Sequence, residues 1–279
     1  MTTSSEAWVR GYRRFLEARD GTVDIERETL SNREAFFRTI DERAVRSAWR
    51  PDAGCFLRNI ARVRPEPGLE ERMLWLLATA KVNQGERFGV ELGKLYGLTP
   101  SFDAEPEQIH VLLQETYHTR TLADVVSLFG LRVPLRPPLR STRRMIELMV
   151  LAPFPERFLL PLVGMSEQMG CVTFRLLRDR GVSLFGSEPE VAERIRVLFD
   201  EILADEICHV GLIEARLGRL GRAAMRALYR WLAPRIAPRL APECEQLFGQ
   251  GALARAMRVR FDQAALAAEF PRTAYAFAS

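Results

Sequence analysis

Two of the three histidines in the chain follow a glutamate at a spacing of three residues. The pairs are Glu115/His118, in the sequence ETYH, and Glu206/His209, in the sequence EICH. On a helix, residues three apart lie on one face about one turn apart, so each pair presents a carboxylate and an imidazole to one point in space. These two ligand types suit iron and manganese. The spacing therefore predicts two metal-binding pairs.

Each pair also interrupts an apolar helical stripe. The stripe around the second pair steps by three and four residues and consists of Val191, Ile195, Leu198, Ile202, Glu206, His209 and Ile213. Such a stripe faces the core of a protein. An unpaired carboxylate there is costly unless it is protonated or neutralised by an opposite charge or a metal. The pattern favours divalent cations over a metal-free polar cluster.

A di-metal site in a four-helix bundle also needs one glutamate from each of the two other helices. Glu167 is the only acid in the stripe of its helix. In the remaining helix, Glu86 lies about 15 Å from the helix end, level with Glu115 at about 13 Å, whereas Glu91 would lie at about 7 Å. The expected metal ligands are Glu86, Glu115, His118, Glu167, Glu206 and His209.

Four long helices must position these ligands. Apolar periodicity predicts them over about 69–96, 106–129, 155–180 and 187–217, with shorter helices near 5–18, 32–49, 141–151, 220–235 and 251–269 and no strand. Two antiparallel pairs joined by a long crossover are typical of a ferritin-like four-helix bundle. We therefore predict a single all-α domain over 1–279, with a bundle core over 69–217 and flanking helices in 1–68 and 218–279.

One spacing fits this arrangement poorly. With helix ends at Arg180 and Glu188, the distances of Glu167 and Glu206 from the connecting loop, measured along the helix axes, differ by about 7 Å. To bring the two glutamates level, the loop would have to run for some distance along the side of the fourth long helix.

Composition narrows the class of protein. The 279 residues are 47% hydrophobic and 27% charged, as in a soluble globular protein. The net charge of +4 is too small to argue for nucleic acid, and no apolar run is long enough for a membrane span. The four cysteines form no CxxC pair, and the N-terminus lacks a signal-peptide pattern, so we expect a cytoplasmic protein.

The ligand set resembles the ferritin-like di-iron carboxylate superfamily, whose pattern is E…ExxH…E…DExxH. The resemblance covers about 69–217. It implies two iron ions, or iron with manganese, bridged by Glu115 and Glu206, with Glu86 and Glu167 as terminal ligands and one histidine on each ion. It also implies that Asp205 holds His118, and that Gln114 takes the corresponding place for His209.

Two departures narrow the resemblance. Leu122 stands where the small subunit of ribonucleotide reductase has a radical tyrosine, which disfavours radical storage. The p-aminobenzoate N-oxygenase branch is distantly similar, but Ile202 stands where that branch has an additional histidine ligand. N-oxygenation is therefore one outcome among several.

The sequence also suggests a role or position for four further residues near the motifs. Tyr117 could donate a hydrogen bond to bound oxygen or substrate, or simply pack; together with Asp205 it is a candidate catalytic residue. His110, one turn into its helix, is expected to face solvent. Cys208 is expected to be a small core residue.

These features predict a non-haem di-iron oxygenase or oxidase. Such an enzyme activates O₂ to hydroxylate, N-oxygenate or desaturate a small or carrier-protein-bound organic substrate in an apolar pocket. The chain has no GxGxxG loop and no cysteine cluster, so an external electron donor is expected. The alternatives are a di-metal binding protein or ligand-binding oxidase without substrate oxygenation, and a metal-free helical interaction protein. The substrate, the choice of iron or manganese, the donor and a homodimeric state stay open.

Overall fold

The computed structural model describes residues 3–96, 105–151 and 156–269, and these residues are mainly helical. The helices are α1 (Thr3–Asp20), α2 (Ser31–Glu42), α3 (Ala53–Ile60), α4 (Glu71–Leu95), α5 (Pro106–Ser127), α6 (Arg140–Leu151), α7 (Glu156–Leu184), α8 (Pro189–Arg216), α9 (Arg219–Trp231), α10 (Ala233–Leu240), α11 (Pro242–Leu247), α12 (Ala252–Arg258) and α13 (Gln263–Glu269). The all-α prediction is confirmed at this level. A two-residue antiparallel pairing of β1 (Val23–Asp24) with β2 (Thr29–Leu30) was not predicted.

The four longest helices, α4, α5, α7 and α8, form the central bundle. Helix α4 packs against α5 and α7, and α8 packs against the same two helices. Neighbours in this ring are antiparallel: Arg178 near the end of α7 lies 3.4 Å from Asp200 in the first half of α8, and Glu107 at the start of α5 lies 3.4 Å from Arg216 at the end of α8. Helix α6, in the crossover between α5 and α7, packs on α4.

The expected mismatch between Glu167 and Glu206 came from a wrong helix end. Helix α7 continues past Arg180 to Leu184, and α8 begins at Pro189. Both glutamates therefore lie seventeen residues from the connecting loop, at equal depths of about 25 Å. No climbing loop is needed.

Gly181 marks the point where the prediction ended α7 too early. A Cβ at this position would lie 2.5 Å from Cζ2 of the Trp75 indole. Trp75 is fully buried, donates a hydrogen bond from Nε1 to the Leu177 carbonyl at 2.7 Å, and packs edge-to-face against Phe129 and Phe185. The glycine inside α7 is thus explained by close packing against an aromatic cluster.

The flanking segments pack on opposite sides of the central bundle. Helix α1 packs against α5 and α8, while α9 packs on α7 and α11 packs on α4. The helix predicted near 32–49 ends at Glu42, and the short helix α3 was not predicted; it is capped by Asp52, whose side chain accepts from the Gly54 and Cys55 amides. The helices predicted near 220–235 and 251–269 are each divided in two, into α9 and α10 and into α12 and α13. Among the described residues, no helix has the length and apolar character needed to cross a bilayer.

We expect Gly181→Ala to destabilise the protein by about 2 kcal/mol, because the rigid indole of Trp75 must shift to admit the methyl group. The loss should exceed the gain in helix propensity that replacing glycine with alanine brings. Urea unfolding measures the effect. Gly218→Ala is the control, since nothing lies within 4 Å of its Cβ position, and equal stability of the two variants would contradict the packing argument.

Candidate metal centre

The structure brings all six predicted ligands together at the centre of the bundle. Their donor atoms form two groups, in each of which the atoms lie within 4.8 Å of one another. The groups are Glu86, Glu115 and His118, and Glu115, Glu167, Glu206 and His209. Each of the four central helices supplies at least one member. The competing acid Glu91 lies apart from both groups, with a side chain 66% exposed and paired with Arg87.

Glu115 lies between the two histidines. Its Oε1 is 3.2 Å from His209 Nδ1, and its Oε2 is 3.5 Å from His118 Nδ1. Glu206 is also shared, because its Oε1 is 3.3 Å from His118 Nδ1 and it belongs to the group around His209. Two carboxylates thus lie close to both imidazoles.

The two imidazoles present the same ring atom to the carboxylates. His118 Nδ1 and His209 Nδ1 are buried and make no hydrogen bond within the described residues. Their Nε2 atoms are engaged on the opposite side, His118 with Asp205 Oδ2 at 3.1 Å and His209 with Gln114 Oε1 at 2.8 Å. A hydrogen bond on one ring nitrogen leaves the other free for a metal. The residues present therefore fit a pair of cations.

Glycine keeps the space beside one bridging acid clear. A Cβ at Gly170 would lie 3.1 Å from Glu206 Oε2. Gly89 of α4, which follows Glu86 by three residues as Gly170 follows Glu167, instead faces α6, with Ile146 Cγ2 3.8 Å from its Cβ position.

A buried ionic network supports both histidines. Arg33 of α2 donates from Nε to Asp20 Oδ1 at 2.9 Å and from Nη2 to Asp205 Oδ1 at 2.6 Å. Asp20 in turn accepts from Gln114 Nε2 at 2.7 Å. One guanidinium therefore holds both the acid that contacts His118 and, through Asp20 and Gln114, the partner of His209.

Two more residues complete this network. Arg19 of α1 donates to Asp205 and, at 3.1 Å, to Glu201 Oε2, and Arg33 Nη1 donates to the same Glu201 oxygen at 2.6 Å. Sequence reasoning found Asp205 and Gln114 but missed Arg19, Asp20, Arg33 and Glu201. Of these four residues, only Glu201 could have been found from its spacing in the sequence, because it lies one turn before Asp205 on the same side of α8.

The charged groups at the centre strongly shift one another's pKa values. Burial, reinforced by Glu115, raises the pKa of Glu86 to about 8, and burial with the adjacent Glu167 raises the pKa of Glu206 well above its usual range. Burial opposes charge on the histidines, yet the surrounding carboxylates raise the pKa of His118 to about 9 and that of His209 to about 10.

The pKa values of Glu115 and Asp205 are lowered instead, because these two acids face positively charged side chains. Burial alone would raise the pKa of Glu115, but His118 and His209 hold it well below its usual range. Burial likewise opposes ionisation of Asp205, and Arg19 and Arg33 outweigh it, so the pKa of Asp205 is also well below its usual range. Asp205 is 1% exposed, and its contact with His118 agrees with the position that the resemblance implied for it.

The carboxylates open onto a cavity of about 450 Å³. Glu86, Glu115, Glu167 and Glu206 all line it, and most of its remaining walls are apolar. Helix α6 closes one side with Thr142, Met145, Ile146 and Met149, and residues of α10, α11 and α12 close another. The flanking helices therefore shape the space beside the candidate metal centre.

The Tyr117 hydroxyl does not reach the ligands: it donates to Glu34 Oε1 at 2.7 Å and accepts from the Leu30 amide at 3.1 Å, because the ring stacks on Phe37 of α2. Tyr117 is therefore the packed tyrosine of the second alternative. The expectation that His110 faces solvent was wrong. His110 is 5% exposed, since α1 packs over the start of α5, and its Nδ1 contacts the Pro106 carbonyl. Cys208 is fully buried in the core, as expected.

Comparisons with family models, with curated proteins and with solved structures found no match to this chain. The function of the chain is therefore inferred from the geometry of the site.

We expect metal binding to release protons and to weaken as the pH falls. The raised pKa values of His118, His209 and Glu86 mean that all three carry protons at neutral pH in the metal-free protein. A metal ion binds only the deprotonated donors, so it competes with these protons. Titration calorimetry with Mn²⁺ in buffers of different ionisation enthalpy measures the release. A binding heat that is the same in every buffer would contradict this assignment.

We expect Arg33→Met to lower metal affinity by about 10- to 100-fold, because both histidines lose their support. The variant should also lose about 3 kcal/mol of stability, since Asp20 and Asp205 are left buried without this partner. Arg33→Lys should recover part of the affinity. Arg196→Met removes an exposed arginine that pairs only with surface acids and is the control. If the Arg33 and Arg196 variants bound metal equally well, Arg33 would have no positioning role.

Proposed function

We propose that the chain is a ferritin-like di-metal oxidoreductase that uses O₂ to oxidise a small or carrier-protein-bound organic substrate. The observation that carries the proposal is the pair of buried Nδ1 atoms on His118 and His209. His118 Nδ1 lies 3.3 Å from Glu206 Oε1 and His209 Nδ1 lies 3.2 Å from Glu115 Oε1, yet neither nitrogen makes an aligned hydrogen bond within the described residues. Unsatisfied buried nitrogens of this kind are uncommon and call for an explanation. Two cations would explain both.

The charge of the cluster supports the same proposal. Four glutamates and two histidines share one site. Among the described residues, the ion pairs of Glu115, Glu167 and Glu206 are made with these two histidines. Two divalent ions would neutralise four carboxylates and leave both imidazoles neutral. Carboxylate and imidazole ligands suit iron and manganese alike.

Glu115 and Glu206 would be shared between the two ions, and Glu86 and Glu167 would each hold one of them. When bound and reduced, the metal pair would supply the electrons and Lewis acidity that O₂ activation requires. The chain's own contribution is to fix the imidazoles through Asp205 and Gln114, to hold Glu115 and Glu206 beside both imidazoles, and to keep an apolar cavity next to them.

The cavity favours oxidation of an organic substrate over simple metal binding. A protein that only stores or carries metal has no need of an apolar space of about 450 Å³ beside its ligands. Most of the cavity walls are aliphatic side chains or glycines, which would bind an apolar substrate by excluding water. An external electron donor remains part of the proposal.

We expect the reduced protein to bind two Fe²⁺ or two Mn²⁺ ions per chain, one for each ligand group. Glu86→Ala should lose one ion, because Glu86 belongs to only one group, whereas Glu115→Ala should lose both. Glu91→Ala, on the same helix as Glu86 but exposed, is the matched control and should retain both ions. Elemental analysis after anaerobic loading gives the counts.

Exposure of the iron-loaded, reduced protein to O₂ then tests the reaction. We expect O₂ consumption and a transient visible absorbance, both absent from Glu115→Ala. Two bound ions without O₂ consumption would favour the alternative of a di-metal binding protein. Metal content at background level would contradict the proposal and favour a metal-free helical protein.

A further inference from the structure

The cavity has polar side chains at both of its ends. It follows α4 from Lys81 to Lys94, a distance of about 20 Å along the helix axis. At the Lys94 end, the half-exposed Lys94 and Glu28 form an ion pair near the surface. At the Lys81 end, Lys81 forms an ion pair with Glu243 in the interior. The carboxylates of the metal centre lie between these two pairs.

The interior pair is deeply buried and has no part in the metal centre. The side chains of Lys81 and Glu243 are 6% and 0% exposed. Lys81 Nζ donates to Glu243 Oε1 and, at 2.8 Å, to the Arg62 carbonyl. Helix α11 carries Glu243 against α4, and both charged residues line the cavity.

One carboxylate oxygen of Glu243 has no hydrogen-bond partner among the described residues. Glu243 Oε2 is buried and accepts no hydrogen bond from the residues that the structure describes. A buried carboxylate oxygen without a donor carries a desolvation cost. A ligand in the cavity that donates a hydrogen bond would offset it.

We propose that the Lys81–Glu243 pair binds the neutral, hydrogen-bond-donating end of an elongated apolar substrate. The donor must be a hydroxyl or an amide N–H, because an ammonium group would meet the Lys81 ammonium and a carboxylate would meet the unpaired oxygen of Glu243. The rest of the ligand is apolar and elongated because the cavity between the two ends is long and is lined by side chains such as Val82, Ile146 and Phe174.

This inference rests on the proposed function only where it calls the ligand a substrate. Lys81 precedes Glu86 by five residues, about 7.5 Å along α4. A molecule anchored at the interior pair would therefore extend past the carboxylates toward the surface pair. Its oxidised position would lie in the chain, away from the anchored end.

Binding of two matched probes to the metal-free, full-length protein tests the proposal. Octanol and octyl methyl ether have similar apolar chains, and only octanol donates a hydrogen bond. We expect one site per chain by titration calorimetry, with octanol bound about tenfold more tightly than the ether. Octanoate and octylammonium should bind more weakly than octanol. Equal affinity for octanol and the ether, or no binding of either, would overturn the proposal.

Two double variants test which ion pair is responsible for the preference for octanol over the ether. Lys81→Met combined with Glu243→Leu replaces the buried pair with apolar side chains of similar size, a change that proteins often tolerate. We expect this double variant to bind octanol and the ether equally. Lys94→Met with Glu28→Leu removes the surface pair and should leave the preference intact. A preference that survives in the first double variant would also overturn the proposal.

Because these titrations use no metal, they are independent of the metal and O₂ experiments. Loss of the probe preference with intact metal binding would reject the anchoring role alone. Absence of metal with an intact preference would reject the proposed function and leave a binding site for neutral amphiphiles. The wild-type probe series remains decisive if the first double variant does not fold.

Discussion

Four carboxylates crowded into one interior site are the constraint on which the rest of the structure depends. Without cations, the protein accommodates them by keeping protons, which is why the pKa values of Glu86 and Glu206 are raised and why both histidines stay charged to high pH. Cations would replace those protons. The equal depth of Glu167 and Glu206 and the missing Cβ of Gly170 both serve to bring the acids to one point.

The flanking helices are part of the site and do more than cover the bundle. On the N-terminal side, Arg19 and Arg33 neutralise the acids behind His118 and His209, so that α1 and α2 set the orientation of ligands on α5 and α8. On the C-terminal side, α11 delivers Glu243 to the cavity. The metal centre and the cavity are thus supported by different ends of the chain.

Much of this arrangement could be predicted from the sequence, because it depends on local periodicity. The ExxH spacing and apolar stripes identified the six residues that converge, and the depth of Glu86 along α4 distinguished it from the exposed Glu91. The end of α7 was wrong because Gly181 resembles a stop signal, and only tertiary contact with Trp75 shows otherwise. Arg33 and Lys81 were missed because their partners lie far away in the chain, where no spacing rule applies. Tyr117 was assigned from its position beside a ligand, but its rotamer follows the packing of α2.

Anomalous X-ray diffraction from manganese-loaded crystals tests the central claim most directly. We predict two ions inside the bundle, one bound by Nδ1 of His118 and the other by Nδ1 of His209, with Glu115 touching both. Anomalous density confined to surface acids, or imidazoles hydrogen-bonded to the carboxylates with no ion between them after loading, would contradict it.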